Sequence, residues 1–261
     1  MNEKPIHFYH YTKSFETLSR YIIPGGFWPQ YSLEDFSWVQ DGKPLYLAFP
    51  CVCFTDLPLE QSAMHRDDYG DYVIGFDNSW ESAARLRRLR YVTEEDNARL
   101  LLEPHHCRAL TKCGQVDTST GLIHFHPTKL VPEDFDGVWD LLPYLKENLG
   151  HTLQRLPAPR GDRSHIWLTK VLEDELEWRY IPDKHRDILF SVVDYDSRTM
   201  DELSGVSQGT HDSHLTFDLA DVAIVIVKTD EERQQLTAQY PPLAGKIRIW
   251  DELPPPVEDE D

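Results

Sequence analysis

The segment of this sequence richest in groups that could do chemistry is EDELEWRY, which runs from residue 173 to residue 180. In a β-strand, Glu175 and Glu177 project to one face because side chains alternate with a period of two. Paired carboxylates repel, so one can have a raised pKa, and together they can stabilise positive charge developing on a sugar. The alternative interpretation is a solvent-exposed acidic edge on which Arg179 forms a salt bridge. With the two carboxylates on one face, the aromatic side chains of Trp178 and Tyr180 would project to the other face, towards the core.

A second candidate segment is His10-Tyr11-Thr12, at the end of a predicted strand. An imidazole can hydrogen-bond a ribose hydroxyl while the neighbouring aromatic ring flanks a planar base. The competing interpretation is structural, because the same residues can simply pack against a sheet or cap its edge.

A third candidate segment places Tyr69 directly before Gly70 and Tyr72 shortly after it. Glycine allows backbone conformations that other residues avoid, so a ring beside it can lean over a ligand. The same segment begins earlier, at Cys53-Phe54-Thr55-Asp56-Leu57-Pro58. For Asp56 the favoured interpretation is structural, because aspartate before Leu-Pro is a common turn residue.

The cysteine and histidine residues give a weak metal pattern. Structural zinc sites usually contain two knuckles of the form C-x₂₋₄-C. Here Cys51 and Cys53 are separated by one residue, and Cys107 and Cys113 by five. The histidines near them, at 105, 106, 124 and 126, do not repair this spacing, so we expect no bound metal.

Hydrophobic periodicity predicts a mixture of strands and helices. The predicted strands cover residues 6–12, 45–54 with an interruption at Pro50, 72–76, 177–181, 188–193, 222–227 and 246–250. The predicted helices cover residues 13–23, 59–68, 81–103, 132–156, 164–173 and 230–240. A break at Tyr91-Val92-Thr93 is the alternative for the third of these, and Pro143 kinks or breaks the fourth. Because no regular βαβ alternation appears, the sequence favours an α+β fold. We expect a single domain over residues 1–253 and a disordered, acidic, proline-rich tail over residues 254–261.

Net charge narrows the possible partners. Asp and Glu number 45 against 26 Lys and Arg, which gives a formal net charge of −19. Such a field repels phosphate backbones and anionic lipids, so general nucleic-acid or membrane binding is not expected. A basic protein partner or a small ligand is compatible with it. The exception is a cluster of four arginines at 85, 87, 88 and 90, for which a solvated helix face is favoured over an anion-binding site. The sequence shows no signal peptide or long apolar run, which predicts a reduced, cytoplasmic compartment.

Several separated motifs, taken in order, resemble the AbiGi family of bacterial abortive phage-infection proteins. They are HYTKSFETLSRYIIPGGFWPQYSLED, CFTDLPLEQSAMHRDDYGDYVIGF, EDELEWRYIP and a late strand–helix unit, together covering roughly residues 7–250. Members of this family are described as antitoxins that are paired with a toxin encoded alongside. The resemblance therefore implies a role in antiviral defence and a protein partner, without defining a chemistry.

The same order of motifs is similar, more distantly, to ADP-ribosyltransferase-like domains. That likeness implies an NAD site in which His10 holds the adenosine-side ribose and Tyr69 or Tyr72 stacks on nicotinamide. Glu177 would stabilise the oxocarbenium-like ribose, and Glu175 would orient the substrate. The sequence departs from such enzymes in lacking a Ser-Thr-Ser type motif and in the long gap between Tyr72 and Glu177.

Two functions therefore stand side by side at this point: an NAD-dependent ADP-ribosyltransferase effector and a non-enzymatic antitoxin that binds a cognate toxin. The catalytic candidates are Glu177 and Glu175. The cofactor-binding candidates are His10, Tyr11, Thr12, Tyr69 and Tyr72.

Overall fold

The structure is a computed structural model. It describes residues 6–36, 46–93, 114–116, 123–125, 144–147, 149–155, 165–171, 175–182 and 214–253. Helices and strands are mixed along these residues, which confirms the α+β class. The predicted strand at 188–193 and the predicted tail at 254–261 lie outside the described residues, and the single-domain boundary remains a prediction. Within the described part of the chain, no helix is long and apolar enough to span a membrane.

One large sheet of eight strands, counted over the described residues, organises the molecule. Its strands are β1 (Ile6–Thr12), β2 (Gln30–Asp35), β3 (Tyr46–Thr55), β4 (Tyr72–Asp77), β5 (Arg87–Arg88), β12 (Glu177–Tyr180), β13 (Val222–Val227) and β14 (Ile247–Ile249). Across the sheet the order is β14-β13-β4-β1-β3-β12-β5, and β2 pairs with β3. Only the β13–β14 pair among these described strands is parallel.

Both faces of this sheet are covered, because side chains at alternate positions along its strands enter two different apolar clusters. The larger cluster includes Phe8, Phe54 and Phe76, and the ring of Phe76 stacks on Trp80 at 3.9 Å between centroids. The opposite face carries another cluster, formed by Tyr9, Tyr11, Val73 and Ile226. Continuous apolar strands such as β13 are what a sheet buried on both faces requires.

The described helices are short and lie beside this sheet. A π-helical segment, Thr17–Ile22, continues into α1 (Ile23–Gly25) and ends at Gly26, whose φ is 81°. The others are α2 (Ala63–Tyr69), α3 (Trp80–Ala84) and α4 (Asp230–Gln239). The last begins with a capping box, in which the Thr229 side chain accepts from the Glu232 backbone and the Glu232 carboxylate accepts in return.

The described residues also form three two-stranded sheets. The pairs are β6 (Arg90–Val92) with β9 (Leu145–Glu147), β7 (Gly114–Val116) with β8 (Ile123–Phe125), and β10 (Leu149–Arg155) with β11 (His165–Val171). The β6–β9 pair is parallel and the other two pairs are antiparallel.

The observed strands overturn three helix predictions over most of their described residues. The predicted helix 81–103 ends after Ala84, because Arg85 adopts a left-handed φ of 53° and strands β5 and β6 follow. The predicted helices 132–156 and 164–173 are wrong at β9, β10 and β11, since strand pairing prevails over helical spacing there. Residues 94–113 and 126–143 lie outside the described part.

Two further predictions about local structure are corrected. Pro50 does not interrupt β3, where it lies opposite Tyr31 of β2 and the strand continues to Thr55. Proline is tolerated in a sheet where its missing N–H needs no ladder partner. The four arginines of the basic cluster are exposed, as predicted, but those at 87, 88 and 90 lie on β5 and β6 rather than on a helix.

We expect Gly70→Ala to unfold the connection between α2 and β4. Gly70 has φ 110° and ψ 170°, and an added Cβ would lie 2.5 Å from the Thr12 carbonyl oxygen. That backbone region alone costs about 1–3 kcal/mol for a non-glycine residue, and the clash adds to it. Gly245→Ala is the matched control, because nothing lies within 4 Å of its added Cβ. Denaturant unfolding should show a large loss of unfolding free energy for Gly70→Ala and almost none for Gly245→Ala. Equal losses would contradict the conclusion that the backbone at Gly70 requires glycine.

Candidate functional site

Strand register places Glu177 and its neighbours on one defined face of the sheet. Glu177 lies opposite Thr55 of β3, and Thr55 lies opposite Tyr9 of β1. Directly opposed residues in antiparallel strands project to the same face. One face of β12 therefore carries Glu177 and Arg179, and the other carries Trp178, whose ring packs on Phe8 at 5.0 Å.

The Glu177 carboxylate is buried and fully engaged. Its side chain is 8% exposed, and Arg179 next along the same face is 0% exposed. Arg179 donates from Nε to Oε1 of Glu177 at 2.6 Å and from a terminal nitrogen to Oε2 at 3.1 Å. The same terminal nitrogen of Arg179 also donates to the carboxylate of Glu34, on β2, at 2.8 Å. A guanidinium matches carboxylates with this two-pronged geometry, so the pair is strongly oriented.

Lys146 brings a second cation to the same carboxylate from a different sheet. It lies on β9, and its ammonium donates to Glu177 at 3.1 Å and to Glu175 at 2.9 Å. A third carboxylate, that of Glu34, lies 3.9 Å away. The Lys146 side chain is 11% exposed. Three carboxylates and two cations thus form one buried cluster, which we call the ion network: Glu34, Lys146, Glu175, Glu177 and Arg179.

Glu175 reaches the ion network through a bend before β12. Leu176 has a φ of 44°, so the strand alternation expected from the sequence does not extend back to Glu175. The bend is held by Thr55, whose hydroxyl donates to the Glu175 carbonyl at 2.7 Å. It is also held by the Asp56 amide, which donates to the Leu176 carbonyl at 3.3 Å. The two carboxylates nevertheless converge, because Lys146 bonds both of them.

Tyr69 closes the ion network on the side of α2. Its hydroxyl donates to Oε1 of Glu175 at 2.7 Å, although the residue as a whole is 42% exposed. Burial, followed by the charge of Glu175, raises the pKa of Tyr69 well above its usual range, so it stays a donor. Tyr91 approaches from β6, where its hydroxyl accepts from the Glu177 amide at 3.1 Å.

Electrostatics keep the ion network charged. Burial alone would raise the pKa of Glu177, but the charges of Arg179 and Lys146 outweigh it and lower that pKa far below its usual range. Burial would likewise lower the pKa of Lys146, yet the three carboxylates hold it well above its usual range. The raised-pKa carboxylate expected from paired acids does not occur at Glu177, because two cations share the space.

His10 lies on the opposite face of the sheet from Glu177. Its ring packs against Phe27 at 4.8 Å and Phe54 at 5.6 Å, and Phe54 is the register partner of Trp178. Among the described residues, β1 and β3 are in register at Tyr9 and Thr55 alone, and His10 donates from Nδ1 to the Cys53 carbonyl at 2.9 Å. The imidazole is thereby tied to β3 and packed against two rings of the larger apolar cluster. Burial lowers the pKa of His10, so the ring is neutral near pH 7.

The remaining cofactor candidates divide between the two faces. Thr12 and Tyr72 are direct register partners on the His10 face, and the Tyr72 hydroxyl donates to Glu232 at 2.7 Å. Tyr11 lies on the Glu177 face, where its buried ring approaches His65 at 5.7 Å. The structure therefore brings Tyr69 together with Glu175 and Glu177, but separates these three from His10, Thr12 and Tyr72 by the thickness of the sheet.

Cys51 and Cys53 also lie near the ion network. Their sulfur atoms are 3.7 Å apart, and both thiols are free. The hydrogen bond with the Cys51 thiol, followed by burial, raises the pKa of Cys53 well above its usual range. In the described part of the chain, no group of three or more His, Cys, Asp or Glu side chains is arranged to hold a metal. The other cysteines lie outside it, so the expectation about metal stays a prediction.

Three members of the site were not predicted from the sequence: Glu34, Lys146 and Tyr91. Glu34 stands inside a motif quoted for the family resemblance, but nothing in a single sequence assigns it a partner. Lys146 was placed on a predicted helix, which hid its alternation on β9. The one indication that the sequence offered was the pair of carboxylates itself, because carboxylates that are buried together need cations such as Lys146 beside them.

Comparison with known proteins agrees with the family resemblance. A family model described as "Putative abortive phage resistance protein AbiGi, antitoxin" matches residues 26–110. The chain is also 21% identical over 263 aligned residues to "Abortive phage resistance protein AbiGi" of Lactococcus lactis subsp. cremoris, covering 87% of this chain and 98% of that protein. These two matches confirm the resemblance to the AbiGi family. No solved structure matches, so an ADP-ribosyltransferase-like fold remains a prediction.

We expect Arg179→Met to be among the most destabilising substitutions in the described chain. It leaves the Glu177 carboxylate buried with two of the three hydrogen bonds described above gone, and breaking a buried ion pair from one side costs about 3–5 kcal/mol. Arg20→Met is the control, since Arg20 bonds Glu16 with both side chains more than half exposed. That pair should contribute about 0–1 kcal/mol. Similar unfolding free energies for the two variants would contradict the buried ion network.

Proposed function

We propose that this chain is a component of a bacterial abortive phage-infection defence system and acts as an antitoxin, by binding a partner protein. The observation that carries the proposal is the length of the similarity, which covers 98% of a protein named for abortive phage resistance. The matching family model, with its antitoxin description, supports the same assignment.

The site geometry supports binding over catalysis. Glu177 is already neutralised by Arg179 at 2.6 Å and by Lys146 at 3.1 Å, so its charge is not available to a reacting group. His10 and Tyr72 face the other side of the sheet. Such an ion network fixes one arrangement of β2, β9 and β12 and leaves recognition to the surface. A net charge of −19 favours a partner with a basic face, to which it would steer association.

A second candidate function is NAD-dependent ADP-ribosyl transfer. The observation that favours it is the convergence of Glu175, Glu177 and the Tyr69 hydroxyl. NAD is the cofactor this function would need. Cleaving a nicotinamide–ribose bond builds positive charge on the sugar, and a carboxylate beside it is worth most in the transition state. Glu177 could do this only after Lys146 and Arg179 release it.

Co-expression with the protein encoded by the neighbouring gene tests the antitoxin assignment. That protein alone should arrest growth, this chain should relieve the arrest, and the purified complex should weaken as salt rises. A complex that does not form, or arrest that persists, would contradict the proposal.

The enzymatic candidate predicts a different outcome in the same cells. This chain itself would consume NAD, and Tyr69→Phe, which removes only the hydroxyl bound to Glu175, would slow that consumption. Gln239→Leu serves as a control, because Gln239 is exposed and its amide donates to the hydroxyl of Tyr240, which is not a member of the ion network. If neither the wild type nor the control variant consumes NAD, the enzymatic candidate is contradicted and the antitoxin assignment is the one that remains.

A further inference from the structure

Two free thiols lie side by side on one face of strand β3. Cys51 and Cys53 are alternate residues of that strand, so both project to the same face of the sheet as Glu177. Their sulfur atoms are 3.7 Å apart, which is the distance of a hydrogen bond between two thiols. Neither thiol takes part in the ion pairs of the ion network, so the function proposed above leaves this pair of nucleophiles unused.

The two cysteines differ in their access to solvent. Cys51 is 5% exposed, whereas Cys53 is partly exposed. A small oxidant that enters from solvent therefore reaches Cys53 before Cys51. Oxidation-sensitive sites commonly combine an accessible thiol, which reacts first, with a second thiol that resolves the product. The difference in burial assigns the first role to Cys53 and the second to Cys51.

A guanidinium group lies beside both thiols. Arg179 is opposite Cys53 in the register of β12 with β3. Its guanidinium carbon is 5.3 Å from the centre of the Phe49 ring, and Phe49 is the next residue beyond Cys51 on this face of β3. The side chain therefore runs past both sulfur atoms, and its charge interacts with both thiols. A neighbouring cation favours the thiolate, which is the reactive form of cysteine. The hydrogen bond with Cys51, followed by burial, nevertheless keeps the pKa of Cys53 above its usual range, so the reaction is slow at neutral pH.

We propose that Cys51 and Cys53 form an oxidisable dithiol, which a hydroperoxide converts into an intramolecular disulfide. The Cys53 thiolate attacks the O–O bond of the peroxide, which gives a sulfenic acid at Cys53 and releases an alcohol, or water when the oxidant is hydrogen peroxide. The Cys51 thiolate then attacks that sulfur, so that an S–S bond forms, the S–OH bond breaks and water leaves. The two thiols together lose two electrons and two protons, and the peroxide accepts them. The sulfur separation of 3.7 Å favours this second step over further oxidation, because the resolving thiol is already in contact.

The disulfide would alter the geometry of β3. Alternate residues of a strand have Cα atoms roughly 6.4–6.8 Å apart, which is the upper end of the range of about 4.4–6.8 Å that a disulfide spans. Formation of the bond therefore draws the two cysteines together and disturbs their pairing with Arg179 of β12 and Gln30 of β2. The closed loop contains a single intervening residue, so it restricts the unfolded chain little. We expect oxidation to lower stability, and this expectation does not depend on the antitoxin assignment.

Peptide mapping of the wild-type chain tests the proposal without any substitution. The folded protein is treated with excess hydrogen peroxide, its remaining thiols are alkylated in denaturant, and it is digested with trypsin. Cleavage after Arg66 separates residues 51 and 53 from Cys107 and Cys113. The peptide that contains both residues should have lost two hydrogen atoms and taken up no alkyl group, and dithiothreitol should reverse this change. Two alkylated thiols, a sulfinic acid, or a disulfide to another cysteine would overturn the proposal.

Serine variants separate the two roles and control for oxidation elsewhere in the chain. In Cys51→Ser the sulfenic acid at Cys53 has no resolving thiol, so dimedone should label this variant and not the wild type. Equal labelling of Cys53 in both would contradict the resolving role of Cys51. Oxidised wild type should melt about 2–4 °C below the reduced protein, and dithiothreitol should restore the melting temperature. The double variant Cys51→Ser, Cys53→Ser should show no such reversible shift, and a shift equal to that of wild type would overturn the assignment to this pair.

Discussion

The charge of Glu177 is the constraint on which the described structure depends most. A carboxylate in a buried sheet must be paired and hydrogen-bonded, or its burial costs more than the fold can supply. Arg179 meets that need along the same strand, and Lys146 meets it from another sheet. Arg179 also binds Glu34, so the ion pairs of Glu177 join β12 to β2 through Arg179 and to β9 through Lys146. Three separate parts of the chain are thereby held together by one charge.

Strand β3 makes this arrangement possible because it carries partners on both of its edges. Thr55 lies opposite Tyr9 on one side and Glu177 on the other, and its hydroxyl fixes the carbonyl of Glu175. The same register sends Phe54 and His10 into the apolar cluster on the reverse face. The charged and apolar sides of the sheet therefore follow from a single alternation along β3, with the bend at Leu176 as the one local departure.

The sequence predicted the elements that carry strong local patterns. Strands β1, β4 and β13 and helix α4 were expected nearly at their observed bounds, because their apolar runs and caps are encoded locally. The helices predicted at 81–103, 132–156 and 164–173 failed because pairing with distant strands decides those segments. The convergence of Glu175 and Glu177 was expected from spacing, but its cause was different. Lys146 and the bend at Leu176 bring the carboxylates together, and neither is visible in a local pattern.

A double-mutant cycle between Lys146 and Glu177 tests the central claim most directly. The free energy of unfolding would be measured for wild type, Lys146→Met, Glu177→Gln and the double variant. If the two charges form one buried pair, the coupling energy should be about 1.5–3 kcal/mol, because the second substitution removes a group already left without its partner. Additivity within about 0.5 kcal/mol would mean that the two side chains act independently, and would contradict the ion network as the element that joins these strands.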